Sequence, residues 1–375
     1  MKFIHLSDLH IGKRVNEFSQ LEDQQYILTE ILQLIDAQKP DAVVIAGDVY
    51  DKSVPTTEAI SLFDWFLSSL CKRNLKVFII SGNHDSAERL SFANEIMQGS
   101  GIYISPTFKG EVKTVELTDE FGTICFHLLP FIKPANVKKH FPDIEISSYD
   151  DAVKVVIDNI NLDNSARNVL VTHQFVTGAV RSESEELSVG GTDNIDYRNF
   201  DCFDYVALGH IHGPQSVGRE EVRYCGTPLK YSFSEVNHNK SVTVVAMGEK
   251  GDVKIETIPL VSKRDLVEIK GEYNTIVSKG FYSSLNTDDY FHITLTDEED
   301  VIDAVAKLRV VYPNIMKLDY DNQRTRTNAE ITLDEKIEEL SPLELFAEFY
   351  EMQNNRNLSD EQTQFLQELI EKGEK

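Results

Sequence analysis

Short apolar runs alternate with amphipathic stretches through roughly the first 260 residues. Residues 2–6 (KFIHL), 41–46 (DAVVIA) and 76–80 (KVFII) are rich in β-branched and aromatic side chains and predict buried strands. Between them, residues 24–38 carry apolar side chains at 27, 28, 31, 34 and 35, and residues 56–73 carry a similar stripe. That spacing predicts helices. Lys39-Pro40 ends the first, and Thr56 or Thr57 caps the second. Further strands are predicted at residues 123–131, 168–172, 205–209 and 240–247, with a helix at 150–160. This alternation predicts an α/β fold of βαβ units around a largely parallel central sheet.

The texture changes past residue 262. Residues 289–296 and 314–321 read as strands, and residues 297–313 as a helix capped by Asp297 and closed by Pro313. They form a small second α/β unit, followed by a polar linker at residues 321–330. Ser341-Pro342-Leu343-Glu344 is a capping box with proline at the first helical position, and Leu340 and Leu345 are spaced as a hydrophobic staple. Leu343, Phe346, Ala347 and Tyr350 then share one face. Ser359 opens a second amphipathic helix, with Phe365, Leu366, Leu369 and Ile370 on one side. Such a pair either packs on its own protein or docks into a partner's groove or coiled coil. The expected divisions are 1–262, 263–322 and 323–375.

Composition narrows the reading. A chain of 375 residues predicts two or three units. The formal net charge of −25 argues against a protein that coats nucleic acid with an overall basic surface, but leaves room for a local basic cleft. Four cysteines, none in a C-x-x-C pair, do not make a disulfide framework. They read as buried thiols in a reducing compartment, with cysteine catalysis as the alternative. The start MKFIHLSDLH has no signal-peptide core, and no run is apolar enough to span a bilayer, so a cytoplasmic location is expected.

The chemistry sits where five predicted strands stop. FIHL runs into SDLH (Asp8, His10), AVVIA into GDVYD (Asp48, Asp51), and KVFII into SGNHD (Asn83, His84, Asp85). NVLVT runs into His173, and YVAL into GHIH (His210, His212). In a parallel sheet these carboxyl ends share one edge, where open α/β folds bind ligands. Carboxylates, imidazoles and one carboxamide, without thiolates, suit Mn, Fe or Zn. Asp8, His10, Asp48, Asn83, His173, His210 and His212 are too many ligands for one tetrahedral ion. They fit two ions bridged by a carboxylate, about 3.5–4 Å apart, the arrangement used for in-line attack on phosphorus.

Taken singly, each motif is an ordinary turn. His5, His127, His140, His238 and His292, which fall outside the motifs, read as structural histidines. Glycines before Asp48, Asn83 and His210 suit tight turns with close backbone approach. Lys13, Arg14 and Arg89 flank the motifs as candidate phosphate contacts, with Lys133 and Lys138-Lys139-His140 as a further basic patch.

In their order D-x-H, G-D-x-x-D, G-N-H-D, lone His and G-H-x-H, these residues resemble the calcineurin-like metallophosphoesterases. SDLHIGK, YVALGHIH and YCGTPLKYSFSE (residues 224–235) carry a narrower likeness, to the nuclease subunits of bacterial double-strand-break complexes. The likeness is specific over roughly residues 1–260 and positional beyond. It implies a metallophosphoesterase β-sandwich core flanked by helices, a small α/β capping domain over DNA, and a C-terminal helical pair that docks an ATPase partner. It assigns one ion to Asp8, His10, Asp48 and His212, and a second to Asp48, Asn83, His173 and His210, with Mn²⁺ the expected metal. His84 would face the scissile phosphate, stabilising the transition state or protonating the leaving 3′ oxygen, and Asp85 would orient it. Asp51 reads as a turn or supporting group. The implied activity is 3′ to 5′ exonuclease on double-stranded ends and endonuclease on hairpins or blocked ends, from a homodimer within a heterotetramer. No Walker A motif is present, so ATP dependence would come from the partner. The alternatives are an enzyme for small phosphodiesters or phosphoproteins, which does not need the terminal units, and a silent binding module, which does not need His84.

Overall fold

The computed structural model describes residues 1–182, 185, 194–323, 325, 343, 345–347, 349–350 and 358–373. It divides into the units Met1–Asp265 and Leu266–Lys375. Strands of the first unit are β1 (Lys2–Leu6), β2 (Arg14–Val15), β3 (Phe18–Ser19), β4 (Ala42–Ala46), β5 (Lys76–Ile80), β6 (Ile102–Ile104) and β7 (Lys113–Asp119). They continue with β8 (Gly122–Leu129), β9 (Arg167–His173), β10 (Tyr205–Gly209), β11 (Gln215–Val217), β12 (Arg219–Tyr224), β13 (Ser241–Met247) and β14 (Val253–Pro259).

The β-sandwich implied by the family resemblance is observed: the largely parallel central sheet read from the alternation alone is replaced by two mixed six-stranded sheets, ordered β14-β13-β1-β4-β5-β6 and β11-β12-β10-β9-β8-β7. In the first, β1, β4, β5 and β6 are parallel and β13 runs against β1. In the second, β8, β9, β10 and β12 are parallel, with β7 and β11 antiparallel at the edges. Burial on both faces demands this. Strand β4 is buried at every position, so each of its faces needs cover. The helices Leu21–Gln38 and Thr57–Cys71 cover one face through Ile31, Ile35, Phe63 and Phe66, which pack on Ile4, Val43 and Ile79. The other face, with Phe3, Val44 and Phe78, meets Phe126, Val171 and Tyr205 of the second sheet. The helix Tyr149–Asp158 covers the outside of the second sheet. The period-two alternation of strand side chains thus produces a sandwich with helices on both outer faces.

Local signals account for the helix ends. Thr56 caps its helix by accepting from Ala59 N at 3.3 Å. The helix Leu21–Gln38 stops at Lys39, whose φ of +49° lies in the left-handed region. At the amino-terminal ends of the parallel strands the buried Arg167 links the sheets. Its guanidinium donates to Asp119 at 3.1 Å and Gly122 O at 2.8 Å, and to Gly248 O beyond β13 at 3.0 Å.

The second unit holds β15 (Leu266–Gly271), β16 (Tyr290–Leu295) and β17 (Ile315–Tyr320) in a parallel three-stranded sheet. Phe291, Ile293, Leu308 and Tyr312 form its core. The helix expected at 297–313 is reduced to Ala304–Leu308. Asp297 is not its cap: that carboxylate accepts from Tyr273 N at 2.8 Å, and Asp303 turns into the helix with φ +54°. The helix Asp360–Gly373 has reciprocal capping, with Ser359 Oγ accepting from Gln362 N and Gln362 Oε1 from Ser359 N. Phe365 and Leu369 on it are exposed. Residues 343, 345–347, 349 and 350 are helical, whereas Leu340, Ser341, Pro342, Glu344 and most of the linker lie outside the described residues. No described helix is long and apolar enough to cross a membrane.

Between the sheets, the rings of Phe78 and Phe126 stack at 4.1 Å and 12°. Phe126→Ala should lower unfolding stability by about 3–5 kcal/mol. Urea denaturation checks this, and a loss below about 1 kcal/mol would mean that this layer is not the packed core described.

Candidate metal centre

Strands β1, β4 and β5 of one sheet, and β9 and β10 of the other, deliver their carboxyl ends to the same end of the sandwich. Main-chain bonds stitch the loops together. Asp8 N donates to Gly47 O at 3.0 Å, His10 N to Asp48 O at 2.9 Å, and His210 N to Asp8 Oδ1 at 3.0 Å. The glycines expected in tight turns also allow this closeness. A Cβ on Gly209 would lie 1.8 Å from Ala46 O, and one on Gly82 would lie 2.1 Å from Asp48 Oδ1. Asp8, His10, Asp48 and His210 themselves adopt positive φ, a region that Asp and His enter more readily than most residues.

All seven candidate ligands meet here. Ligand atoms of Asp8, His10 and His212 lie within 4.8 Å of one another, as do those of Asp8, Asp48 and His173, and those of His10, Asp48 and His84. Asn83 Oδ1 is 3.0 Å from both His173 Nε2 and His210 Nδ1. Asp48 Oδ2 is 3.2 Å from His173 Nε2 and 3.8 Å from His10 Nε2. Asp48 therefore stands between the two groups.

The donor set fits divalent metal. His10 is 1% exposed, yet neither ring nitrogen has a hydrogen-bond partner. Buried polar atoms are as a rule satisfied, and ligation would satisfy these. Asp8 and Asp48 are buried, and no described lysine or arginine forms an ion pair with either. Burial pushes the Asp8 carboxyl up to about 6, with the neighbouring Asp48 adding to the rise. Burial opposes ionisation of Asp48 too, but the adjoining His173 outweighs it and holds this carboxyl well below its usual range. Burial lowers His173, yet Asp48 beside it wins and raises it to about 9. Burial and then His173 bring His210 down to about 3. The raised His173 marks the place beside Asp48 where positive charge is favoured.

The surrounding groups depart from expectation in places. Asp85 does not bond to His84. Its carboxylate accepts from Gly82 N, Val49 N and Tyr50 N at 2.9–3.1 Å, because three main-chain donors of two loops point at it. It ties the loops, and the carbonyl of Asp51 orients His84, accepting from Nδ1 at 2.9 Å. His84 is half-buried and sets its ring edge-on to His10 at 4.8 Å. Lys13, expected at phosphate, turns to Asp51 Oδ1 at 2.7 Å, whereas Arg14 and Arg89 are exposed, as are Lys133, Lys138, Lys139 and His140. The cysteines are free. Burial pushes the Cys225 thiol far up, which removes it as a nucleophile. His5, His127 and His292 have both ring nitrogens in hydrogen bonds away from the centre.

Glu185, Glu235 and Lys240 escaped the sequence reading; Glu185, buried, accepts from His212 N at 2.8 Å. Glu235, fully buried, accepts from His212 Nδ1 at 2.9 Å and from Lys240 Nζ at 2.6 Å. Its signal was a carboxylate closing the otherwise uncharged run YSFSE, but nothing in the chain order pointed to His212.

A helix-flanked double sheet with carboxylates and imidazoles at the strand ends is the architecture of a phosphoesterase. The model of the calcineurin-like phosphoesterase family matches residues 1–214, and the chain belongs to that family. More narrowly, it is 33% identical over 378 residues to the SbcD component of the nuclease SbcCD from Staphylococcus epidermidis, covering 99% of this chain and 98% of that one. Residues 262–354 match a model described as the Type 5 capsule protein repressor C-terminal domain. Among solved structures, a dimetal phosphatase from Danio rerio is 11% identical with a TM-score of 0.39, over 70% of this chain and 98% of its own. The chain is a metal-binding hydrolase of phosphodiester bonds with a nuclease role.

Gly209→Ala should force β10 away from Ala46 and weaken Mn²⁺ binding by at least about tenfold, as expected when the supports of a metal site are disturbed. Titration calorimetry measures this, and wild-type affinity in the variant would show that the close approach is dispensable.

Proposed function

We propose that the chain is the nuclease component of an SbcCD-type complex. It cleaves double-stranded DNA ends as a 3′ to 5′ exonuclease and opens hairpins and blocked ends, working with the ATPase SbcC in DNA repair, recombination and replication. The observation that carries this reading is the convergence of seven oxygen and imidazole ligands, among them the orphaned, buried ring of His10, with His84 beside it. The near full-length likeness to an SbcCD nuclease component adds the substrate class.

In this reading Asp8, His10, Asp48 and His212 hold one ion, and Asp48, Asn83, His173 and His210 a second, most simply Mn²⁺. When bound, the pair supplies Lewis-acid neutralisation of the phosphoryl oxygens and acidifies an attacking water. The chain's own residues do the rest. Asp85 fixes the loop that presents Asn83 and His84. The Asp51 carbonyl keeps a proton on His84 Nδ1, so Nε2 is the atom that meets the phosphate and, when protonated, serves the leaving 3′ oxygen. Arg14 and Arg89, both exposed, are the proposed backbone-phosphate contacts, with Lys13 acting through Asp51. Residues 1–262 form the nuclease domain, 263–322 cap the DNA, and 323–375 dock SbcC. The exposed Phe365 and Leu369 suit docking better than packing on the chain itself. Two such nuclease chains with two ATPases make the working assembly.

An end-labelled duplex incubated with Mn²⁺ or EDTA tests the reading. Wild type should cleave only with Mn²⁺. His84→Ala should keep both ions and lose about 10²–10⁴-fold in turnover. Asp48→Ala should lose the ions themselves. Intact duplex alongside cleaved bis-p-nitrophenyl phosphate, with SbcC present, would move the assignment to small phosphodiesters.

A further inference from the structure

His212 is held twice by one buried unit. Lys240 Nζ donates to Glu235 Oε2 at 2.6 Å, Thr227 Oγ1 at 2.6 Å and the His212 carbonyl at 3.0 Å. Those three bonds use all three ammonium protons. Thr227 N also donates to the His212 carbonyl, at 3.1 Å, and Thr227 Oγ1 passes its own proton to Leu229 O at 2.6 Å. The second oxygen of Glu235, Oε1, lies 2.9 Å from His212 Nδ1. Glu235 is 0% exposed and Lys240 7%, so solvent screens neither charge.

The chemistry runs one way through this network. Lys240 can only donate, and its bond to Oε2 keeps Glu235 as a carboxylate. A carboxylate can only accept, so His212 Nδ1 carries the proton. A ligating His212 would then use Nε2, towards Asp8 and His10. His173 is oriented more weakly, by the carbonyl of Ala46 at 2.8 Å, and the His10 ring has no hydrogen bond at all. The imidazoles of the centre therefore differ in how firmly they are aimed, and His212 is held by a charged partner from outside the ligand set.

We infer that Glu235, charged and braced by Lys240, is the positioning residue for His212: it fixes the tautomer and ring direction of that ligand and so sets the affinity of the half of the centre built on Asp8, His10 and His212. This inference rests on the reading of the cluster as a metal centre. A carboxylate behind a ligating imidazole both orients it and raises its basicity, and such partners are worth about 10–100-fold in metal affinity. Glu235 acts through His212 and does not meet substrate.

The variants are Glu235→Ala and the double substitution Glu235→Ala with Lys240→Met. The single variant strands a buried ammonium and is expected to unfold more easily. The double variant removes both charges and keeps the fold testable. Two readouts are made on the full chain. Calorimetric titration with Mn²⁺ alone should show one of two sites weakened about 10–100-fold in the double variant, and the other unchanged. Nitrogen-15 imidazole spectra of metal-free protein should show His212 protonated at Nδ1 in wild type, and a mixture of tautomers in the double variant. A folded double variant with wild-type Mn²⁺ affinity at both sites and an unmoved His212 signal would reduce Glu235–Lys240 to a structural pair and overturn the inference. Wild type that binds no Mn²⁺ yet shows the tautomer change would instead overturn the metal-centre reading and leave the positioning role standing.

Discussion

Backbone meets backbone at one end of this sandwich, and the site exists because it can. At Gly209 a single methyl group would occupy the space of the Ala46 carbonyl, and at Gly82 it would strike Asp48. Closing that distance brings ligand atoms from residues 8 to 212 within 4.8 Å of one another in each group. The local cost is visible in the positive φ of Asp8, His10, Asp48 and His210. Strain of this kind persists only where the surroundings over-determine it, and the apolar layers on both faces of β4 supply that rigidity.

The second constraint is electrostatic. A chain with 62 acidic against 37 basic residues buries two carboxylates at the site without a described lysine or arginine on either. Imidazoles take that place, which makes the cluster a receptor for positive charge. The buried ammonium of Lys240, close behind His212, is turned away to Glu235. Positive charge is thus kept next to the ligands without competing for them. The same economy governs Asp51: its carboxylate engages Lys13 while its carbonyl steers His84.

Much of this was legible in the chain. Ligand doublets at the ends of apolar runs revealed the centre, because strand termination and function coincide at Asp8, Asp48, Asn83, His173 and His210. The terminal caps at Thr56 and Ser359 were legible for the same reason, being local. Sheet membership was not. Apolar runs of equal character fall into different sheets, and long-range backbone pairing, such as β1 with β13, decides which. The helix expected at 297–313 shrank because Asp297 answers to Tyr273, a partner 24 residues away. Asp85 and Glu235 show the same limit in the site. Whether a carboxylate orients a histidine or ties two loops depends on which donors the fold aims at it.

The two ends of the sandwich are fastened differently. Arg167 clasps the far end with bonds that need nothing but the chain: to Asp119 and Gly122 on one sheet, and Gly248 beside the other. The near end has chain bonds of its own, His210 N to Asp8 Oδ1 at 3.0 Å and His173 Nδ1 to Ala46 O at 2.8 Å, together with buried ligands that an ion would join. The sheets therefore behave as a clip with one fixed hinge and one latch that an ion would tighten. Amide exchange should be slow around β8 and the start of β9 whatever the ionic conditions, and should report the loading state at residues 81–86 and 209–212. Metal availability would then add to the stability of the folded nuclease as well as to its turnover.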